Sequence, residues 1–204
     1  RLETFASVLS HDLRNPLNVV TGNLALAEHD DEHVDRAAAA ADRMEVLVDD
    51  VLTLVKQGQT IGETEQVSLA AVAERAWANV ETPAADLDLD REALGTVEAD
   101  PDRLQEACAN LFRNAVEHGG ADVRVEVGAL DGDEGFYVAD DGPGIPEAAR
   151  ETVFEHGYTT DDGTGLGLAI VESVVGAHGW TVSARESERG GARFDIRYRG
   201  DGVG

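Results

Sequence analysis

From Leu2 to Val55 apolar side chains recur at steps of three and four, and this restricts the N-terminal stretch to helix. Leu2, Phe5, Leu9, Leu13, Leu17, Val20, Leu24 and Ala27 form one stripe. Val34, Ala37, Ala41, Met44, Val48, Val51 and Val55 form a second, alternating three and four strictly as a heptad seam does. Glu28-His29-Asp30-Asp31 is the polar connection between them. Two helices alone cannot bury both a seam and the flanking Leu47, Leu52 and Leu54, so the pattern predicts a dimeric four-helix bundle. Packing of the hairpin on another domain of the same chain is the alternative. Pro16 removes a helical hydrogen bond and clashes with the preceding turn, at about 3 kcal/mol, and therefore predicts a bend.

A Gly/Gln/Thr-rich break spans Gln57 to Glu63 and separates two predicted domains, 1–60 and 61–204. Beyond it the periods alternate. Strands are predicted near Glu65–Val67, Asp86–Asp90, Thr96–Glu98, Ala121–Leu130, Gly135–Ala139, Thr181–Arg185 and Ala192–Tyr198. Helices are predicted after Ser68 to about Val80, after Asp100-Pro101 to about Glu117, within Ile145–Phe154, and over Gly165–His178. Such an order reads as an α/β sandwich, a mixed sheet with helices on one face. With the hairpin, the fold class is α+β. The Gly-rich tail Arg199–Gly204 is expected to fray.

Charge narrows the function classes. Asp and Glu total 41 against 16 Lys and Arg, a net charge of −25, and Lys56 is the one lysine. Nucleic acid requires cations to meet its phosphates, so it is not an expected partner. Acids spread along the whole chain repel one another, and salt screens them with a Debye length of about 3 Å at 1 M. A protein adapted to a high-salt cytoplasm is the expectation. The lone Cys108 cannot form an intrachain disulfide and reads as a small buried hydrophobe, in keeping with a reducing compartment. No apolar run approaches the roughly 18 residues of a membrane span, so this stretch is expected to make no direct membrane contact. The chain starts at Arg1 inside a helical pattern, which suggests a piece of a longer protein.

Four stretches carry chemistry. His11-Asp12-Leu13-Arg14-Asn15 places an imidazole, a carboxylate and an amide within five residues. Asn110 and Asn114 lie one turn apart on a helix, about 5–6 Å between Cβ atoms, and amide oxygens suit Mg²⁺. Taken alone they also fit a solvated face. Asp140-Asp141-Gly142-Pro143-Gly144 follows a strand. A carboxylate there can accept an exocyclic amine such as adenine's, and Gly142 and Gly144 let the backbone approach a flat ring; a plain turn is the alternative. Gly163-Thr164-Gly165-Leu166-Gly167 runs into a helix, and its open backbone N–H groups favour phosphate. It is neither a P-loop nor a dinucleotide fingerprint. Each stretch is a weak signal by itself.

His11-Asp12-x-x-Asn15-Pro16-Leu17, Asn110-x-x-x-Asn114, Asp140-x-Gly-x-Gly, Phe154 and Gly163-Thr-Gly-Leu-Gly-Leu, in that order over nearly the whole chain, resemble the transmitter core of a two-component sensor histidine kinase. The resemblance implies a dimerisation and histidine-phosphotransfer hairpin followed by a Bergerat-type ATP-binding domain. It implies His11 as phosphoacceptor, Asp140 on the adenine amine, Asn114 with Asn110 beside it on Mg²⁺, Gly163, Gly165 and Gly167 with Thr164 and Leu166 on the triphosphate, and Phe154 as lid anchor. ATP and Mg²⁺ are the implied cofactors; a homodimer and a response-regulator receiver domain are the implied partners. The chain departs from the family where lysine and tyrosine are usual: Glu117 and His118 stand there, and Arg113 or His118 is the candidate replacement cation. Asp141 replaces an asparagine, and the lid from Phe154 to Gly163 is short.

The expected mechanism is attack of neutral His11 on the γ-phosphate of ATP, with Asp12 taking up the ring proton. Asn15, one turn on, would hold the phosphoryl or orient a water for phosphatase action on a partner. His29, His33, His156 and His178 carry no predicted role. Two rivals remain. A Bergerat-fold ATPase needs a carboxylate where Asn110 stands, and an amide is no general base. A non-enzymatic dimeric scaffold, a degenerate kinase, is slightly favoured by the missing lysine and opposed by the intact His11, Asn114, Asp140 and glycines.

Overall fold

The computed structural model describes residues 62–80, 84–120, 122–131, 135–155 and 165–198, together with Val20, Gly22, Val34, Arg36, Ala37, Ala40, Ala41 and Met44. The chain divides into two compact units, Arg1–Gly58 and Gln59–Gly204.

In the first unit every described residue is helical. The predicted seam splits there. Ala37 is buried as expected, but Ala40 rather than Ala41 is buried beside it, while Ala41 and Val34 are exposed. A step of three, Ala37 to Ala40, carries the buried line, and Val34 with Ala41, seven apart, forms a separate exposed line. Met44 is half-buried, and the remaining predicted seam positions, Val48, Val51 and Val55, lie outside the described residues.

The second unit opens with β1 (Glu65–Ser68) and α1 (Leu69–Ala78). Ser68 caps α1 through its Oγ, which accepts the Ala71 N–H. Next come β2 (Asp86–Leu89), a one-turn helix α2 (Arg91–Leu94) that the periodicity did not predict, and β3 (Thr96–Ala99). Asp90 caps α2 by accepting the Ala93 N–H. The long α3 (Pro101–Gly119) starts as its Asp-Pro signal demands, with Asp100 Oδ1 accepting the N–H groups of Asp102 and Arg103 at 3.1 Å each. Then follow β4 (Arg124–Ala129), β5 (Gly135–Asp140), α4 (Gly167–Ala177), β6 (Thr181–Glu186) and β7 (Ala192–Arg197). The helix expected within Ile145–Phe154 is a 3₁₀ turn at Glu147–Ala149 that runs on as turns to Phe154, its N–H groups at Ala149, Arg150 and Thr152 bonding the carbonyls three residues back rather than four.

β1 and β3 form a two-stranded antiparallel sheet. The main sheet runs β2-β4-β5-β7-β6 and is mixed: β2 pairs parallel with β4 and every other pair is antiparallel. Period-two alternation sorts its faces. Val127, Val138 and Phe194 stand opposite one another on the apolar face, and with the buried sides of α3 and α4 they close the core. The same alternation places Gly128, Tyr137, Asp195 and Ser183 in one row on the other face. Trp77 of α1 meets Phe112 of α3 edge-on at 5.4 Å, fastening those two helices. Cys108 is buried on α3, and desolvation pushes its thiol up to about 12, so it behaves as the expected hydrophobe.

Candidate nucleotide site

Asn110 and Asn114 share one face of α3, as their spacing requires, but their environments differ. Asn110 is 3% exposed and fully engaged: its Nδ2 donates to the Glu106 carbonyl at 3.0 Å, and its Oδ1 accepts Arg113 at 2.8 Å. Asn114 is half-buried, and its Nδ2 is buried without a hydrogen-bond partner. A buried amide left unpaired costs about 1–3 kcal/mol, which makes it the mark of a group held ready for something else.

Gly167, the first residue of α4, faces both amides. A Cβ there would stand 3.3 Å from Asn110 Oδ1 and 3.4 Å from Asn114 Oδ1. The glycine stretch Gly163–Gly167 is thereby brought, at its last residue, against the paired asparagines across the contact of α3 with α4. Gly165 is in the left-handed region at φ 64, where a side chain is strained. Leu166 is buried and its carbonyl accepts the Ile170 N–H.

Asp140 ends β5 across the site. Its Oδ1 accepts the N–H of Gly142 at 2.9 Å and of Ala192 at 3.0 Å. Burial raises its carboxyl above the ordinary value; these two bonds and the charge of His118 pull it down, and neighbouring Asp141 pushes it up, with burial the largest influence. His118, on the last turn of α3, is thus placed to act on Asp140, and Arg113 is placed on Asn110. Gly142 passes so close to α3 that a Cβ would stand 2.7 Å from Gly119 Cα. Gly144, at φ 73, packs under Gly190 and Gly191. Asp141 turns outward and accepts the Arg124 N–H at 2.8 Å.

Sequence reasoning missed the support of Asp140. The turn from β6 to β7 wraps it. Ser187 Oγ donates to the Asp140 carbonyl at 2.7 Å and accepts the Gly191 N–H at 2.9 Å. Gly191 lies so close to Asp140 that a Cβ would overlap its carbonyl and carboxylate. The signal for this was the Ser-x-x-Gly-Gly turn, legible as a turn but not as a partner for residues some fifty positions away. Phe154 is buried and meets Phe194 of β7 edge-on at 6.3 Å, which pins the segment before the 156–164 stretch to the sheet. His11, Asp12, Asn15, Gly163 and Thr164 lie outside the described residues.

Among the described residues no three His, Cys, Asp or Glu side chains gather as a metal site. A divalent cation here would fall to the asparagine amides plus ligand oxygens. Mg²⁺ accepts such a shell, since it takes few protein ligands and completes its octahedron with phosphate and water. The orphaned N–H₂ of Asn114 fits an acceptor such as a phosphate oxygen, its Oδ1 beside the side-chain-free Gly167 is the atom that would take Mg²⁺, and together they suit a phosphate-bound cation. Among the described residues no helix is long and apolar enough to cross a membrane.

Two family models match the chain: "Histidine kinase-, DNA gyrase B-, and HSP90-like ATPase" over residues 99–201, and "His Kinase A (phospho-acceptor) domain" over residues 1–60. The sensor histidine kinase CpxA of Escherichia coli is 31% identical over 93% of this chain and 45% of its own length. The crystal structure of the ATP-binding domain of PrrB from Mycobacterium tuberculosis is 33% identical, covering 68% of this chain and 98% of that one at a TM-score of 0.56. Histidine kinase ThkA, solved in complex with the response regulator TrrA, has a TM-score of 0.73 over 95% of this chain and 60% of that one; at 23% identity it supports the fold alone. The chain spans less than half the length of the curated relatives it matches.

Proposed function

This chain belongs to the sensor histidine kinase family and carries its transmitter core, and from that premise we propose that it is an ATP-dependent protein-histidine autokinase of a two-component system. The observation that carries the reading is the meeting of Gly167 with Asn110 and Asn114, where one amide is saturated and the other is left open. Adenine would lie against Asp140, whose Oδ1 is already occupied by two backbone N–H groups, so that the carboxylate is held rigidly for an exocyclic amine. The triphosphate would run toward Gly163, Gly165, Gly167 and the N-terminus of α4, with Thr164 and Leu166 beside it. Asn114 would hold Mg²⁺ together with the phosphates, with Asn110 orienting it, and the ion would neutralise charge on the phosphate oxygens.

His11 then attacks the γ-phosphorus as a neutral imidazole. A nitrogen–phosphorus bond forms, the bond to the β–γ bridging oxygen breaks, and ADP leaves. The proton on the other ring nitrogen passes to Asp12. Asn15, one turn on, steadies the phosphoryl or a hydrolytic water. The phosphoryl group then passes to an aspartate of a separate receiver domain, and residues 1–60 supply the dimer contact through an apolar seam. Residues 61–204 form the catalytic domain. The place of action is the cytoplasm.

Incubation with Mg²⁺ and γ-labelled ATP in high salt tests this. Acid-labile, base-stable label should appear on His11 and be lost in His11→Ala. Bound ATP without any label would instead identify a dimeric scaffold.

The charge of −25 supports a second part of the reading, adaptation to high salt. Thermal unfolding in molar KCl should occur several degrees above that in dilute buffer as repulsion is screened. Equal midpoints in the two media would remove this part alone.

A further inference from the structure

His178 follows the last turn of α4, and both of its ring nitrogens are used. Nε2 accepts the backbone N–H of Asp100 at 3.0 Å, and Nδ1 lies 2.8 Å from the Val174 carbonyl. A backbone amide only donates and a carbonyl only accepts, so the proton sits on Nδ1 and the ring is neutral. The imidazole also stacks on Trp180, centroids 4.7 Å apart. Its partner Asp100 is the N-cap of α3 through Oδ1, and its Oδ2 accepts the Gly62 N–H at 2.9 Å. One residue therefore ties together the start of α3, the end of α4 and the backbone at Gly62.

This junction lies at the opposite end of α4 from the nucleotide site. The helix begins at Gly167, against Asn110 and Asn114, and ends at Ala177 beside Asp100; its eleven residues span about 16 Å. The two helices are packed together and antiparallel, so the remaining soft motion between them is a slide along their axes. Gly167 has no side chain to resist such a slide: only an added Cβ would stand 3.3 and 3.4 Å from the two amide oxygens, so the register at this end must be set elsewhere along the helix.

Resting on the ATP-site reading above, we infer that the Asp100–His178 pair is a positioning clasp that sets the axial register of α4 against α3. In doing so it holds Gly167 and the N-terminal N–H groups of α4 at the distance from Asn114 that a metal-bound triphosphate requires. His178 touches no substrate; it acts through the helix.

The experiment uses the full chain, titrated with ATP and Mg²⁺ in high salt. His178→Phe keeps a ring on Trp180 and removes the acceptor. ATP dissociation constant and KM should rise about fivefold to tenfold, with kcat at saturation within about twofold of wild type. A folded His178→Phe variant with a lower melting temperature but unchanged ATP affinity reduces the pair to a structural contact and overturns the clasp. Should His178→Phe not fold, wild type decides through amide hydrogen exchange. Bound ATP should slow exchange at the Asp100 N–H; slowing at Gly142 and Leu168 with none at Asp100 overturns the inference. Wild type that takes up no ATP fails the nucleotide reading itself, and the clasp falls with it.

Discussion

Two of the places in the second unit that bury polar groups treat them in opposite ways. On the outer face of the main sheet, Asp195 is 0% exposed and answered by three guanidinium groups: Arg185, Arg193 at 2.7 Å and Arg197 at 3.1 Å. Arg193 also lies over the Tyr137 ring at 3.8 Å, and Tyr137 donates to Glu126. Burial together with Glu126 pushes the Tyr137 phenol up to about 12. Every strong acceptor in that patch is met. Between α3 and α4, by contrast, Asn114 is left with an orphaned amide, and Asp140 is buried enough for its carboxyl to rise. A saturated polar cluster holds a fold together; an unsaturated one is stabilised only when something binds.

The comparison breaks most directly at Asn114. Asn114→Ala should lower labelling of His11 about a hundredfold to a thousandfold while moving the unfolding midpoint little, because the buried Nδ2 it removes has no hydrogen-bond partner to lose. Retained labelling would show that the open amide is not the working group.

Asp195→Ala is the mirror experiment. It should cost about 2–3 kcal/mol in urea unfolding, short of a fully buried pair because Arg185 and Arg197 reach water, and leave the ATP affinity of the folded protein unchanged. A loss of affinity without a loss of stability would assign the outer face to function.

Gly191→Ala sits between the two regimes. Its methyl group would overlap Asp140, so stability and ATP affinity should fall together, by about 1–3 kcal/mol in the first. Loss of only one of them would separate the β6–β7 turn from the carboxylate it wraps.

The smallest effect on stability is expected from Asp140→Asn at neutral pH, and its sign is informative. A carboxyl held above its ordinary 3.8 by burial binds its proton more readily folded than unfolded. Stability therefore increases as pH falls through the raised value, with the full gain below 3.8, and the ionised form is a cost at pH 7. Asp140→Asn removes that cost: the midpoint at pH 7 should rise slightly, the gain in acid should disappear, and ATP binding should be lost. A lower midpoint at pH 7 would mean that the Asp140 charge stabilises the fold.

Much of this was legible beforehand. The caps at Ser68 and Asp100, the Pro101 start of α3 and the alternation of β4, β5 and β7 are local patterns, and the elements stand where those patterns put them. The helix expected within Ile145–Phe154 is a run of 3₁₀-type turns instead, because apolar spacing of three to four does not tell a three-residue from a 3.6-residue period over so short a segment. In the first unit Ala40 is buried beside Ala37 while Val34 and Ala41 of the predicted seam are exposed in the single chain, since several alanines in a row offer more than one stripe of the same period. His178, given no role from the sequence, has both ring nitrogens engaged, and one partner is the cap of a helix begun 77 residues earlier.

The amino-acid sequence by itself determined which residue types stand at which local spacing: the helical and alternating periods, the caps, the paired asparagines and the glycines before α4. Only the tertiary structure decided that Asn110 is closed by Arg113 while Asn114 stays open, that Asp140 is wrapped by Ser187, Gly191 and Ala192, and that three arginines converge on Asp195. The reason is physical. Periodic burial depends on neighbours three or four positions away, whereas the satisfaction of a buried polar atom depends on whatever distant segment the packing brings beside it.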